Sequence, residues 1–119
     1  MRFKTETDKG VCVVRLAGRF ATGSDAELVA VQDHLRQIGI ANVVLDLREV
    51  PYIDSTGLAF VVELHKAMKN RGGRVVVANA NARVREVLAL TRIDEVVPVS
   101  TDEEAAGSIL RNEELTPLC

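Results

Sequence analysis

The chain has 119 residues, of which 47% are hydrophobic and 27% charged, with a formal net charge of −2. That length fits one domain able to bury roughly two-thirds of its unfolded surface, and the composition is globular rather than disordered. Near-neutral charge, 3% aromatic residues and the lack of Trp argue against direct nucleic-acid binding, which wants a basic surface or a platform of stacking rings.

Phe3 to Thr7 alternates weakly and reads as a short edge strand. Asp8-Lys9-Gly10 is a hairpin-type turn, so Val11 to Ala17 is a second strand antiparallel to the first, ended by Gly18. Ser24-Asp25-Ala26-Glu27 has the form of a capping box. Leu28, Val31, Leu35 and Ile38 follow at helical spacing and Gly39 stands where a C-terminal cap belongs, which predicts a helix over 24–38. Val43-Val44-Leu45-Asp46-Leu47 is a short run with the apolar density of a strand covered on both faces.

Pro51 and Asp54 mark a loop, and a second helix is predicted from about Ser55 to Arg71. Its broad apolar arc is Leu58, Phe60, Val61, Leu64, Ala67 and Met68, with Glu63, Lys66 and Asn70 opposite. Gly72-Gly73 stops it. Arg74-Val75-Val76-Val77-Ala78 repeats the buried-strand pattern, and Ala82 to Thr91 is a third helix with Val84, Val87 and Leu88 inward. A last strand is expected over 96–99. Thr101-Asp102-Glu103-Glu104 is a second capping box, opening a helix that should bury Ala105, Ile109 and Leu110. The expected domain is 1–111, and 112–119 reads as a frayed tail.

The order β-β-α-β-α-β-α-β-α implies an α/β fold: a small mixed sheet, mostly parallel, with an antiparallel N-terminal edge strand and about four flanking helices. Ligands and partners of such sheets tend to meet the loops at the carboxyl ends of the parallel strands. The central strand ends near Leu47 and feeds the loop 48–54. Topology therefore points to that loop.

Asp54-Ser55-Thr56-Gly57 opens the second helix. Asp54 or Ser55 can serve as N-cap. Gly57 lies in the first turn, where Ala would favour the helix by about 1 kcal/mol, so it suggests a close approach there. On the residues alone, such a triplet is first of all a helix cap. A phosphate on Ser55 is nevertheless physically compatible: the helix N-terminus carries partial positive charge, and the added charge of about −1.5 to −2 would stand beside Asp54.

Cys12 lies in an apolar run and Cys119 is terminal, so neither a disulfide framework nor metal spacing is present. No apolar run is long enough to span a bilayer, and Met1-Arg2-Phe3-Lys4-Thr5-Glu6, with a charge at every second residue, has no apolar signal core. A reducing, cytoplasmic setting without membrane insertion is expected. No cofactor or metal is implied. The elbow pattern Gly-x-Ser-x-Gly of serine hydrolases is lacking, and His65 follows Ser55 by about three helical turns. His34 and His65 read as ordinary helix residues, and no catalytic residue is expected. Arg83, Arg85 and Arg92 form a local basic cluster best read as a solvated face.

The blocks Val43 to Leu47, Tyr52-Ile53-Asp54-Ser55-Thr56-Gly57-Leu58 and Gly72 to Ala78, together with Leu16-Ala17-Gly18-Arg19-Phe20 and Val84-Arg85-Glu86-Val87-Leu88, carry a resemblance over most of the chain. The sequence resembles the STAS domain of bacterial anti-sigma factor antagonists. The resemblance implies a partner switch: the unphosphorylated antagonist binds an anti-sigma factor that is itself an ATP-dependent serine kinase, and so releases a sigma factor. Phosphorylation of the serine after the aspartate, here Ser55 with Thr56 as a secondary candidate, ends binding, and a phosphatase restores it. The implied partner surface is Asp54, Ser55, Thr56 and Gly57 with Ala21, Thr22 and Ser24 of the preceding loop. The pattern departs at Ala21, where the family often has an acidic residue. The alternative within the same fold is a docking subunit of a lipid-transport ATPase complex or of a stress-signalling scaffold.

Overall fold

The computed structural model describes residues 2–18 and 25–111. The secondary structure within them is β1 (Arg2–Asp8), β2 (Val11–Ala17), α1 (Asp25–Ile38), β3 (Asn42–Glu49), α2 (Ser55–Asn70), β4 (Arg74–Ala78), α3 (Ala82–Leu90), a 3-10 turn (Ile93–Glu95), β5 (Val99–Ser100) and α4 (Glu103–Arg111). The strands form one sheet in the order β1-β2-β3-β4-β5. β1 pairs antiparallel with β2, and every other pairing is parallel. The mixed α/β architecture expected from the sequence is the architecture observed.

The β1–β2 hairpin turns on Lys9 and Gly10, whose φ values of 51° and 78° are the paired left-handed conformations that match the twist of flanking strands. Alternation then divides the sheet into two faces. On one face, Cys12, Val14, Leu16, Val43, Leu45, Leu47, Val75 and Val77 meet α1, α2 and α3 in a single core. On the other, Val11, Val44, Val76 and Ala78 meet α4 through Ala106 and Leu110. β3 contributes to both, which is why its sequence reads as a nearly continuous apolar run. Full burial of one such Leu or Val side chain stabilises the fold by about 1.5–3 kcal/mol.

Gly39 and Gly73 show why glycine stands after a helix here. The amide of Gly39, at φ 71°, donates to the Leu35 carbonyl and closes α1. Gly73 lets the chain from α2 pass close to Ala41, the residue before β3: a Cβ at this position would overlap the Ala41 carbonyl.

Several local expectations are corrected. The strand expected over 96–99 begins only at Val99, because Val96 and Val97 donate their amides to the Ile93 carbonyl and close the 3-10 turn first. Val96 is left exposed while Val97 alone turns into the core. Asp102 caps α4 in place of the box opened by Thr101, its Oδ1 accepting from the Ala105 amide at 2.8 Å. The inner face of α4 is Ala106, Gly107 and Leu110, so Leu110 is buried as expected while Ala105 and Ile109 are only half-buried. Ile38, at the end of the α1 stripe, is 37% exposed, whereas Val31 and Leu35 earlier in the stripe are buried. The capping serine expected at Ser24 and the tail after Arg111 lie outside the described residues.

Candidate functional site

β3 ends at Glu49, and the loop that follows is held at several points. The Val50 amide donates to the Leu47 carbonyl at 3.0 Å. Val50 and Ile53 are buried in the core beneath α2 and α3. Asn81 reaches across from the start of α3: its Nδ2 donates to the carbonyls of Val50, at 3.3 Å, and Pro51, at 3.2 Å. Its Oδ1 accepts from the Val84 amide at 2.8 Å, so one side chain both caps α3 and fixes the loop. The short segment from Pro51 to Asp54 is thus delivered to α2 in one place.

Asp54 is the N-cap of α2, with φ −111° and ψ −170°. Its Oδ1 accepts from the Thr56 amide at 2.9 Å and the Gly57 amide at 3.2 Å, and its carbonyl accepts from Leu58 at 2.9 Å. Of the two caps the sequence allows, Asp54 is therefore the one used. Ser55 occupies the first helical position and is exposed, Thr56 is half-buried and Gly57 is buried. The first turn of α2 contains no acidic residue, and the N-cap Asp54 places a carboxylate at its partly positive end.

The structure brings Asp54, Ser55, Thr56 and Gly57 together in one turn. Ala21, Thr22 and Ser24 lie outside the described residues. Arg83, Arg85 and Arg92 are all exposed. His34 places its Nε2 3.1 Å from the Thr5 hydroxyl, between α1 and β1. Among the described residues, no group of three or more His, Cys, Asp or Glu is arranged to hold a metal ion, and no helix is long and apolar enough to cross a membrane.

A second polar cluster lies at the same end of β3 on the opposite face of the sheet. Asp46 is 4% exposed and is the buried charged residue of the described core. Its Oδ1 accepts from the Arg48 amide at 2.8 Å and its Oδ2 from the Asn79 Nδ2 at 3.1 Å. Glu103, at the start of α4, receives Arg15 through Nε and Nη2, both at 2.7 Å. Arg15 also reaches Glu6 at 3.1 Å. Asp46, Arg15 and Glu103 line a groove of about 870 Å³ with Arg2, Lys4 and Arg48.

Titration separates the two carboxyls. Burial raises Asp46 above the ordinary carboxylate range, and its hydrogen bond with Glu103 raises it further. The two bonds from Arg15, followed by the bond with Asp46, hold Glu103 down to about 2. Glu103 therefore keeps its charge to lower pH, and Asp46 is the one that retains a proton more readily. Of the groove's cations, Arg15 is the one held by carboxylates, Glu103 and Glu6. The sequence signal for this cluster was a lone Asp inside the apolar run of β3. Nothing local identified its partners. Asn81 carried a clearer signal, an Asn one residue before a helix.

Residues 2–106 match the STAS domain family. The chain is 24% identical over 104 residues to an anti-sigma F factor antagonist of Paenibacillus polymyxa, covering 87% of this chain and 89% of that one. A crystal structure from Thermotoga maritima, assigned as an anti-sigma factor antagonist, superposes with a TM-score of 0.86 at 24% identity over 92% of this chain and 94% of that one. The Bacillus cell fate determinant SpoIIAA in its phosphorylated form superposes with a TM-score of 0.68 at 18% identity, over 91% of this chain and 99% of that one. These likenesses agree with the mixed five-stranded sheet described above.

Proposed function

Because this chain belongs to the STAS domain family, we propose that it is an anti-sigma factor antagonist. Its unphosphorylated form binds an anti-sigma factor that is also a serine kinase and so releases a sigma factor; phosphate on Ser55 ends that binding, and a phosphatase restores it. The protein works as a cytoplasmic binding switch, without catalysis of its own. The relative from Paenibacillus polymyxa carries the name of that role, and SpoIIAA is a protein of this fold that exists in a phosphorylated form.

The observation that carries the reading is the division of labour between Asp54 and Ser55. Asp54 already accepts from the Thr56 and Gly57 amides, so Ser55 is not needed as the cap and stands exposed at the first helical position. A phosphate there gains from the helix N-terminus, which offsets repulsion from the adjacent Asp54 carboxylate. With two first-turn amides taken, the phosphate projects outward. The helix keeps its cap while the surface gains about −1.5 to −2 charges, which changes what can dock and leaves the fold intact. Thr56, half-buried and contributing its amide to the cap, is the poorer acceptor. Gly57 and the loop residues Ala21, Thr22 and Ser24 complete the proposed partner surface.

Incubation with the cognate kinase and ATP is expected to add one phosphate to this chain, located on Ser55 by peptide mapping. Ser55→Ala should accept none and should still bind the kinase. Equal phosphate incorporation by Ser55→Ala and the parent would overturn the assignment of the site.

A further inference from the structure

The two edges of the sheet differ in a way that the switch at α2 does not use. β5 is two residues long, whereas β1 spans seven. A short edge offers little for another chain to pair with; a long one is usually blunted by Pro, a bulge or charge. β1 has no Pro, and its register with β2 is unbroken from Arg2↔Ala17 to Asp8↔Val11. Among the described residues no strand pairs with its outer side. Among the described residues, what protects it is charge.

The direction of the free backbone groups follows from the hairpin. A two-residue loop closes on a hydrogen-bonded pair, here Asp8 and Val11. Bonding alternates along an antiparallel ladder. Arg2, Lys4, Glu6 and Asp8 therefore bond inward to β2, and Phe3, Thr5 and Thr7 turn their amides and carbonyls outward. The four charged side chains share one face, since Lys4 pairs with Arg15 and Glu6 with Val13 on that side. Their order is two cations followed by two carboxylates.

We propose that β1 is a self-pairing edge, on which a second copy of this chain adds antiparallel about a two-fold axis through Thr5, joining the two sheets into one. In this register Thr5 faces Thr5, Phe3 faces Thr7, Lys4 faces Glu6 and Arg2 faces Asp8. The outward backbone groups of Phe3, Thr5 and Thr7 meet their counterparts in hydrogen-bonded pairs. The charged residues fall at the non-bonded positions, where side chains come closest. Because only alternate residues face outward, the register can slip only in steps of two. One such slip sets Lys4 against Lys4 and the other sets Glu6 against Glu6, so like charges exclude both neighbours. Glu6 now contacts Arg15 with both side chains well exposed, and Arg15 is held more closely by Glu103; Glu6 can therefore meet Lys4 of the second copy at little loss. The exposed Ile38 lies one turn beyond His34, whose ring contacts Thr5. It adds apolar surface beside the same edge. β1 and the start of α2 are separated by β2 and β3 in the sheet, so pairing does not depend on the phosphorylation reading.

Sedimentation of the full chain from about 1 µM to 1 mM, the affinity range of a small interface, should show a reversible monomer–dimer equilibrium. Lys4→Glu and Glu6→Lys each turn two attractive pairs per dimer into repulsive ones and should raise the dissociation constant about tenfold or more. Mixing these two variants should restore association as a heterodimer, and the double variant should again self-associate. Thr5→Pro removes an outward amide without breaking a bond to β2 and should also leave a monomer. Far-UV circular dichroism identical to the parent confirms that each variant folds. A parent chain that stays monomeric throughout, or a dimer that neither single swap weakens, overturns the proposal; so does failure of the mixed variants to associate.

Discussion

Two aspartates eight residues apart at the end of the same strand lead opposite lives. Asp46 is 4% exposed, on the α4 face of the sheet, with both oxygens occupied by Arg48 and Asn79. Asp54 is half-buried at the mouth of α2 and uses one oxygen to hold two successive amides. The first belongs to a network tying β2, β3, β4 and α4 together. The second caps a helix, and the neighbouring Ser55 stands exposed. A surface that is to change its charge without changing the fold is better built on the second arrangement, where an added phosphate disturbs only one helix cap.

The sharpest way to break this contrast is Asp46→Ala. It strands the Arg48 amide and the Asn79 side chain and removes the group bonded to Glu103, so stability should fall by about 2–3 kcal/mol, read from urea denaturation. A loss under 0.5 kcal/mol would show that the buried cluster is not a structural anchor. Next in size, Ser55→Glu should weaken binding of the kinase about tenfold by placing like charge at the partner surface, while the urea midpoint stays within error of the parent. A shifted midpoint with unchanged binding would reverse the roles assigned to the two regions. Asp54→Ala should cost about 1 kcal/mol, the usual value of a helix cap, and Asp54→Asn should recover most of it. If Asn recovers nothing, the charge matters more than the hydrogen bonds.

The smallest effect is confined to acid. Glu103 is lowered from 4.5 to about 2, so its contribution is fully present above pH 4.5 and is lost as pH falls through 2. Arg15 is substantially exposed, and screening keeps the contribution below about 1 kcal/mol. Raised Asp46 acts in the opposite sense: ionising it in the fold costs stability as pH rises past its ordinary carboxylate range. Glu103→Gln should therefore lower the melting temperature slightly at pH 6 and leave it nearly unchanged near pH 2. A difference that grows toward low pH would assign the depressed carboxyl to another residue.

Helix and strand limits were legible wherever the signal was local. The spacing of Val31 and Leu35, the stop at Gly39, the Asp54 cap and the density of β3 all act within a few residues, and each element formed where its own residues placed it. The errors came where two local signals competed. Val96 and Val97 look like a strand, but the 3-10 turn takes their amides. Thr101 and Asp102 can both cap, and Asp102 is the one that accepts from the first turn of α4.

The sequence by itself determined the order of elements, the mixed sheet and the position of Asp54-Ser55 at a helix start, because backbone geometry and amphipathic period are short-range properties. Only the tertiary structure decided what Asp46 is for, since Arg15 and Glu103 are 88 residues apart in the chain and meet only when α4 folds across the sheet. It also decided that Asn81 holds the loop before Asp54, a contact across 31 residues, and that Ser55 stands clear of the cap. Desolvation, shared hydrogen bonds and a free sheet edge depend on which segments become neighbours, and local pattern does not contain that information.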